Sequence, residues 1–362
     1  MNFQEILDRF GDFPAMKGIT APTDAQKAAM PAILAGQDVL MQSPTGTGKT
    51  LAYLLPVFAR INPEIKGVQG IVVAPTYELA SQIAQVAKGL TDRSDDVALL
   101  IGGAAKQRQE KAIKAKPRLV VGTLGRIVEF IMEKKLSAHH VKTLVFDEAD
   151  RLFLPPNMDN IEYLCTAPLK SRQIVLVSAT MPKKTQDLSA AYMTAPEFIS
   201  TGGQIPKNIK HFYALSEARK KTEKLRSIIH SANIQKALIF VNMPYQIEKT
   251  VDRLKHHGIP AKALHAGQHS DKIARKAAMD ALRQGKIKAL VSSDAGSRGL
   301  DVAGLTHIIN LDIAARDKDY LHRAGRTGRA GADGICISIV TQGELETLKK
   351  MAQKLKIELN AL

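Results

Sequence analysis

Short apolar runs of three to six residues, many of them β-branched, recur along the chain between stretches with helical spacing. Val39–Met41, Ile71–Ala74, Leu119–Val121, Leu144–Phe146 and Ile174–Val177 belong to the first half. Ala237–Val241, Ala289–Ser292, Ile308–Leu311 and Ile335–Val340 repeat the rhythm in the second. A strand that is apolar on both faces is covered by helices on both faces, which is the habit of parallel sheets. Helices are predicted between the strands, for example from Glu78 to Leu90 and from Arg126 to Lys134. The alternation predicts an α/β protein built from doubly wound parallel sheets.

At 362 residues the chain exceeds one ordinary core and suits two domains. Glycine and proline interrupt the pattern at Thr201-Gly202-Gly203-Gln204-Ile205-Pro206-Lys207. The expected division is therefore a domain over 1–200, a linker over 201–207 and a second domain over 208–362.

Composition narrows the class. Hydrophobic residues make up 45% of the chain, too many for a disordered protein. The two cysteines, Cys165 and Cys336, lie far apart, so neither a disulfide framework nor a cysteine metal site is expected. This usage points to a reducing, cytoplasmic setting. Met1-Asn2-Phe3-Gln4-Glu5 lacks the basic and apolar segments of a secretory leader. No run approaches the ~18–20 apolar residues of a membrane span, so no membrane partner is expected.

Charge adds a partner. The net charge is +16 and is unevenly spread: 23 basic and 20 acidic residues precede position 205, whereas 28 and 15 follow it. The second half, at +13, invites a polyanion, most simply a nucleic acid.

Two strings carry chemistry. Ser43-Pro44-Thr45-Gly46-Thr47-Gly48-Lys49-Thr50 follows an apolar strand and precedes a helix. Backbone N–H groups of such a loop cradle phosphates, Lys49 neutralises the β- and γ-phosphates, and the Thr50 hydroxyl is placed to ligate Mg²⁺. Ser43 stands where the generic loop begins with glycine. Asp147-Glu148-Ala149-Asp150 follows the apolar run Leu144–Phe146. A carboxylate pair at a strand end suits Asp147 to Mg²⁺ and Glu148 to the attacking water. Together the strings describe the hydrolysis of a nucleoside triphosphate.

With these residues the chain resembles the DEAD-box ATP-dependent RNA helicases of superfamily 2, over essentially its whole length. The resemblance implies two tandem RecA-like domains joined by a short linker, and a bacterial source. Gly18-Ile19, Pro22-Thr23 and Gln26 are similar to the family's adenine-recognising segment. Gln26 is then expected to read the adenine edge, and Phe3 to stack on the base. Pro75 and Thr76, Gly102 and Gly103, and Thr123, Gly125 and Arg126 resemble elements that contact RNA. Small residues there let the backbone approach, while Thr123 and Arg126 reach phosphate oxygens. Tyr77 and Leu124 replace the usual arginine and proline. Ser178-Ala179-Thr180 resembles the motif that couples hydrolysis to strand opening, with its hydroxyls directed at Asp150.

The second half resembles the family equally. Ser293 to Asp301 is similar to the segment spanning RNA and nucleotide, with Ser293 on RNA and Asp301 on the ribose. Tyr320-Leu321-His322-Arg323-Ala324-Gly325-Arg326-Thr327-Gly328-Arg329 implies arginine fingers at Arg326 and Arg329, with His322 and Arg323 in support. Phe240-Val241-Asn242 matches a further motif. Arg275 is a looser match, with Lys272 where glutamine is usual.

The implied cycle has ATP and single-stranded RNA jointly favouring a closed form, strain on one bound strand opening a short duplex, and hydrolysis releasing the RNA. Phosphate and 2′-hydroxyl contacts make such binding tolerant of sequence. An aromatic content of 5% and the lack of tryptophan agree with gripping the backbone. The expected cofactors are ATP and Mg²⁺. The expected partner is RNA, single-stranded or as short duplex, with ribosomal precursor RNA or mRNA as settings, protein recruiters supplying specificity, and a monomeric enzyme. A DNA translocase, a non-enzymatic RNA-binding factor, and a clamp or annealing enzyme are the rival readings. The Gln26 segment and the full catalytic set weigh against the first two.

Overall fold

The computed structural model describes residues 3–44, 46–201, 208–265, 269–294, 296–297, 304–328 and 332–362, with backbone alone at 269–273 and 318. The chain divides into two compact units, Met1–Gly202 and Gly203–Leu362.

The first unit holds a seven-stranded sheet: β1 (Val39–Gln42), β2 (Gly70–Ala74), β3 (Val97–Leu100), β4 (Leu119–Thr123), β5 (Thr143–Asp147), β6 (Gln173–Ser178) and β7 (Glu197–Ser200). Their order is β3-β4-β2-β5-β6-β1-β7, and every pairing is parallel. Alternate residues of each strand enter two different cores. Val39, Met41, Val72, Val121, Val145 and Val175 face the helices 24–35, 49–60 and 77–88. Leu40, Ile71, Val73, Val120, Leu144 and Phe146 face the helices 124–132 and 158–166. This two-sided burial is why the strands read as unbroken apolar runs. Gly122 permits the tightest approach: a Cβ there would lie 2.1 Å from the Leu100 carbonyl oxygen of the neighbouring strand.

The second unit repeats the plan with β8 (Ile209–Leu215), β9 (Ala237–Phe240), β10 (Ala261–Leu264), β11 (Ala289–Ser292), β12 (His307–Asn310), β13 (Gly334–Val340) and β14 (Leu359–Ala361). The order is β10-β11-β9-β12-β13-β8-β14, again all parallel. Cys165 and Cys336 are both buried, one in each unit, and burial pushes each thiol up to about 12. Thiols held neutral in this way pack as small apolar groups and do not act as nucleophiles. Among the described residues no helix is long and apolar enough to cross a membrane.

Candidate active site

From the phosphate loop onward, the motif residues of the first unit lie at or just beyond the C-terminal ends of its strands, where ligands meet open α/β sheets, whereas Phe3 and Gln26 precede β1 on helices. The sheet order sorts them. The phosphate loop, Asp147 and Ser178 follow β1, β5 and β6, which are neighbours. Thr76, Gly102 and Thr123 follow or end β2, β3 and β4, which form the other half of the sheet. Two chemistries therefore share one edge and meet between β2 and β5.

The phosphate loop is built around two glycines in left-handed backbone conformation, Gly46 (φ 81°) and Gly48 (φ 82°). Side chains are disfavoured in that region, so glycine belongs at both positions. The loop is bonded from within. Lys49 Nζ donates to the carbonyls of Ser43 and Pro44, each at 2.7 Å. Thr47 Oγ1 donates to the Pro44 carbonyl at 2.8 Å and lies 2.7 Å from Ser43 Oγ. Ser43 is fully buried, and its hydroxyl also accepts from Thr201 Oγ1 at 2.8 Å. Ser43 thus braces the loop through its side chain.

Gln26 is engaged on both ends of its amide. Oε1 accepts from the Thr23 N–H at 3.0 Å, closing a capping box on the helix 24–35, and Nε2 donates to the Gly48 carbonyl at 3.3 Å. Thr23 Oγ1 donates to the Thr47 carbonyl at 2.7 Å. The Thr23–Gln26 segment is therefore stitched to the phosphate loop. The Thr23-to-Gln26 spacing is a capping-box signature readable in the sequence. Phe3 opens the helix Phe3–Phe10 and packs, partly buried, against the core.

Asp147 ends β5 and is 5% exposed. Its Oδ1 accepts from the Glu148 N–H at 2.8 Å and its Oδ2 from the Tyr53 hydroxyl at 2.9 Å. Thr50 lies one turn before Tyr53 on the same helix, so the Tyr53 hydroxyl ties the helix of one candidate metal ligand to the other. Burial raises the Asp147 carboxyl to about 6, against the pull of Lys49 in the other direction. Burial, together with the Asp147 charge, also pushes the Tyr53 hydroxyl well above its usual range. A desolvated carboxylate, a hydroxyl one link away and an ammonium beside them make a donor set that fits Mg²⁺ held with a polyphosphate. Nothing in the apolar runs marks Tyr53, which sits 94 positions from its partner.

Glu148 occupies a left-handed conformation, φ 50° and ψ 49°, uncommon for a residue with a side chain. Its carboxylate pairs with Arg151 at 3.1 Å. Asp150 is buried and takes two hydroxyls, Ser178 Oγ on Oδ1 at 2.7 Å and Thr180 Oγ1 on Oδ2 at 2.8 Å.

On the other half of the edge, Thr76 caps the helix Tyr77–Lys88 by accepting from the Leu79 N–H at 3.3 Å. Pro75 precedes it. Gly102 and Gly125 are exposed, and a Cβ at either would meet no atom within 4 Å. Internal packing does not require glycine there. Gly103 takes φ 71°. Thr123 leads into the helix Leu124–Met132, where Arg126 pairs with Glu129 at 3.2 Å and its buried NH1 has no hydrogen-bond partner among the described residues. Glu129 extends the chain of charges to Lys106, and Lys106 to Glu133.

In the second unit one side chain organises the strand ends. Arg323, 1% exposed, grips both Asp294 oxygens at 2.6 and 2.7 Å. It also donates to Asn310 Oδ1 at 3.3 Å, the Asp312 carbonyl at 2.8 Å and Asn242 Oδ1 at 2.8 Å, and lies over the Phe240 ring. This hub ties the ends of β9, β11 and β12 together. Ser293 Oγ accepts from the Gly296 N–H at 3.3 Å. Arg326 follows the helix Asp317–Ala324 in a turn closed by its own N–H on the Arg323 carbonyl at 3.1 Å, with its side chain buried. Thr45, residues 202–207 of the expected linker, Asp301 and Arg329 lie outside the described residues, as does the Lys272 side chain.

Residues 23–188 match the DEAD/DEAH box helicase family, and 220–331 match the helicase conserved C-terminal domain. The chain is 41% identical over 342 residues to the DEAD-box ATP-dependent RNA helicase CshC of Bacillus cereus, covering 94% of this chain and 87% of that one. It is 38% identical to the probable ATP-dependent RNA helicase YfmL of Bacillus subtilis, covering 95% and 91%. Among solved structures it resembles S. cerevisiae Dbp5 bound to RNA and ADP BeF3, with a TM-score of 0.86 at 25% identity over 98% of this chain and 95% of that one. The two parallel sheets correspond to tandem RecA-like domains. With the phosphate loop and the Asp147–Asp150 string each seated at a strand end, and Arg323 bonded to the strand ends of the second unit, the chain belongs to the DEAD-box ATP-dependent RNA helicase family.

Proposed function

We propose that this protein binds single-stranded RNA through its backbone, hydrolyses ATP in response, and uses that cycle to open short duplexes locally. The observation that carries the reading is the single sheet edge on which triphosphate chemistry (β1, β5, β6) and the RNA-type elements (β2, β3, β4) lie side by side. Backbone N–H groups around Gly46, Thr47 and Gly48, with Lys49, hold the phosphates. Thr50 and Asp147 would hold Mg²⁺, which there neutralises phosphate charge. Glu148, next to Asp147 at the end of β5, orients the lytic water. Gln26 keeps a second amide hydrogen and a second lone pair for the adenine edge, with Phe3 against the ring.

Asp150, clasped by Ser178 and Thr180, is assigned the coupling of hydrolysis to RNA. Pro75, Thr76, Gly102, Gly103, Thr123, Gly125, Arg126 and Ser293 are assigned to RNA, and Asp301 to the ribose. Arg326 and Arg329 are assigned to the charge on the transferring phosphoryl group, so neither unit hydrolyses ATP alone. The setting is the cytoplasm of a bacterium, the targets are ribosomal precursor RNA or mRNA, protein recruiters supply specificity, and the enzyme acts as a monomer.

The test is ATP turnover with single-stranded RNA and with DNA of the same sequence. Stimulation by RNA alone is expected; equal stimulation by DNA overturns the RNA assignment. Glu148→Gln separates enzyme from binding factor: it is expected to hold RNA with ATP and to stop hydrolysis.

A further inference from the structure

The helix Tyr245–His256 buries Ile247, Thr250, Val251 and Leu254 and turns Glu248, Lys249, Asp252, Arg253, Lys255 and His256 to solvent. One residue breaks that charged face. Tyr245 is 73% exposed, and Met243, two positions earlier, is 52% exposed. An aromatic and a thioether two positions apart, both exposed, are not explained by the core, which they do not enter.

The pair is rigidly presented. Pro244 sits between them, the Gln246 N–H bonds the Met243 carbonyl at 2.9 Å, and the Ile247 N–H bonds the Pro244 carbonyl at 3.1 Å. Just before the pair, Asn242 is pinned by Arg323 on its oxygen and by the Ile313 carbonyl on its nitrogen. Tyrosine has few rotatable bonds, so holding it out on a fixed turn leaves little ordering to be done on binding. The turn follows β9, at the same strand-end edge as Ser293 after β11. Lys249 lies one helical turn beyond Tyr245 on the exposed face. The unit as a whole carries +13.

We propose that Met243 and Tyr245 form a stacking platform for one nucleobase of the bound RNA, with Lys249 beside it for the adjoining phosphate. This rests on the RNA-binding reading above and deepens it. Strand contacts made through phosphate and ribose leave base faces bare, and every base has a π-face, so a tyrosine ring adds affinity without dictating sequence. The polarizable Met243 sulfur suits the edge of the same stack.

The experiment compares binding of a short oligouridylate and of a strand of equal length with abasic residues, in the presence of a non-hydrolysable ATP analogue, by fluorescence anisotropy. Tyr245→Ala is expected to weaken oligouridylate binding about fivefold or more, the low end for loss of one aromatic stack. Tyr245→Phe is expected to retain wild-type affinity, and the abasic strand to bind wild type and Tyr245→Ala equally. Because Tyr245 is so exposed, thermal melting should not move. Unchanged oligouridylate binding by Tyr245→Ala, or an equal loss on the abasic strand, overturns the platform while leaving the RNA reading intact. A lowered melting point with unchanged RNA affinity makes Tyr245 a packing residue and also overturns it. Failure of the wild type to bind either strand overturns both.

Discussion

The Tyr53 hydroxyl donates to Asp147 Oδ2 at 2.9 Å, joining the helix after the phosphate loop to the end of β5 inside a fully buried contact. Because Thr50 lies on the same helix as Tyr53, the hydroxyl helps to fix the spacing of two candidate metal ligands. Tyr53→Phe removes that oxygen alone. It is expected to lower stability by roughly 1–2 kcal/mol, the usual result of stranding a buried acceptor. It should also reduce ADP affinity when Mg²⁺ is present and leave Mg²⁺-free affinity unchanged. Calorimetric titration under both conditions checks this; an equal loss in both would reduce Tyr53 to a packing residue.

Burial raises the Asp147 carboxyl from 3.8 to about 6. The folded protein therefore binds this proton more tightly than the unfolded chain does. The stability linked to it is complete below about pH 4 and is lost as pH rises through about 6. At neutral pH the ionised carboxylate opposes folding by roughly 3 kcal/mol. Asp147→Asn is thus expected to melt higher than wild type at neutral pH and to converge with it near pH 4, while losing ATP turnover. Melting curves of the nucleotide-free protein across that range decide the point.

Glu148 holds a left-handed backbone at an energetic cost that glycine does not incur, about 1 kcal/mol. Glu148→Gly is expected to abolish hydrolysis and to raise the melting temperature of the first unit, whereas Glu148→Gln abolishes hydrolysis without that gain. If Glu148→Gly destabilises, the Arg151 ion pair outweighs the backbone strain.

Gly122 and Gly125 stand three residues apart and should behave oppositely. An added Cβ at Gly122 would strike the Leu100 carbonyl at 2.1 Å, so Gly122→Ala is expected to destabilise by several kcal/mol or prevent folding. At Gly125 the space is open and the position is helical, so Gly125→Ala should hold or raise stability, by about 0.5–1 kcal/mol. Its RNA affinity should nonetheless fall, because the methyl group occupies the approach to the strand. Paired melting and RNA-binding measurements read both effects.

Arg323→Lys retains the charge and loses the fork. Asp294, Asn242 and Asn310 then lack their partner, and a loss of about 3 kcal/mol is expected from the second unit. Denaturant unfolding followed in that unit would show it; wild-type stability would mean that the fork is dispensable.

The central strands were legible in the sequence because both of their faces are buried and leave an unbroken apolar imprint. The strands the pattern did not announce are β3, β7, β10 and β14, the four sheet edges, together with β8 beside β14. An edge strand is partly exposed and tolerates polar residues: β7 buries only Ile199, and Lys210 and Lys262 interrupt β8 and β10. The motif residues could be read because their spacing is local. The contacts of Tyr53 with Asp147, of Arg323 with Asn242 and of Ser43 with Thr201 join distant segments, and only the folded sheet brings them together.

The ordering of the first sheet has a consequence for how such a protein diverges. Of the first unit's three departures from the usual spelling, Tyr77 follows β2 and Leu124 follows β4; the β1, β5 and β6 side departs only at Ser43, which serves as a brace. On the proposed assignment, a strand boundary separates the residues that handle fuel from those that meet cargo. Under that assignment, a substitution on the cargo side leaves the engine beside it unaltered.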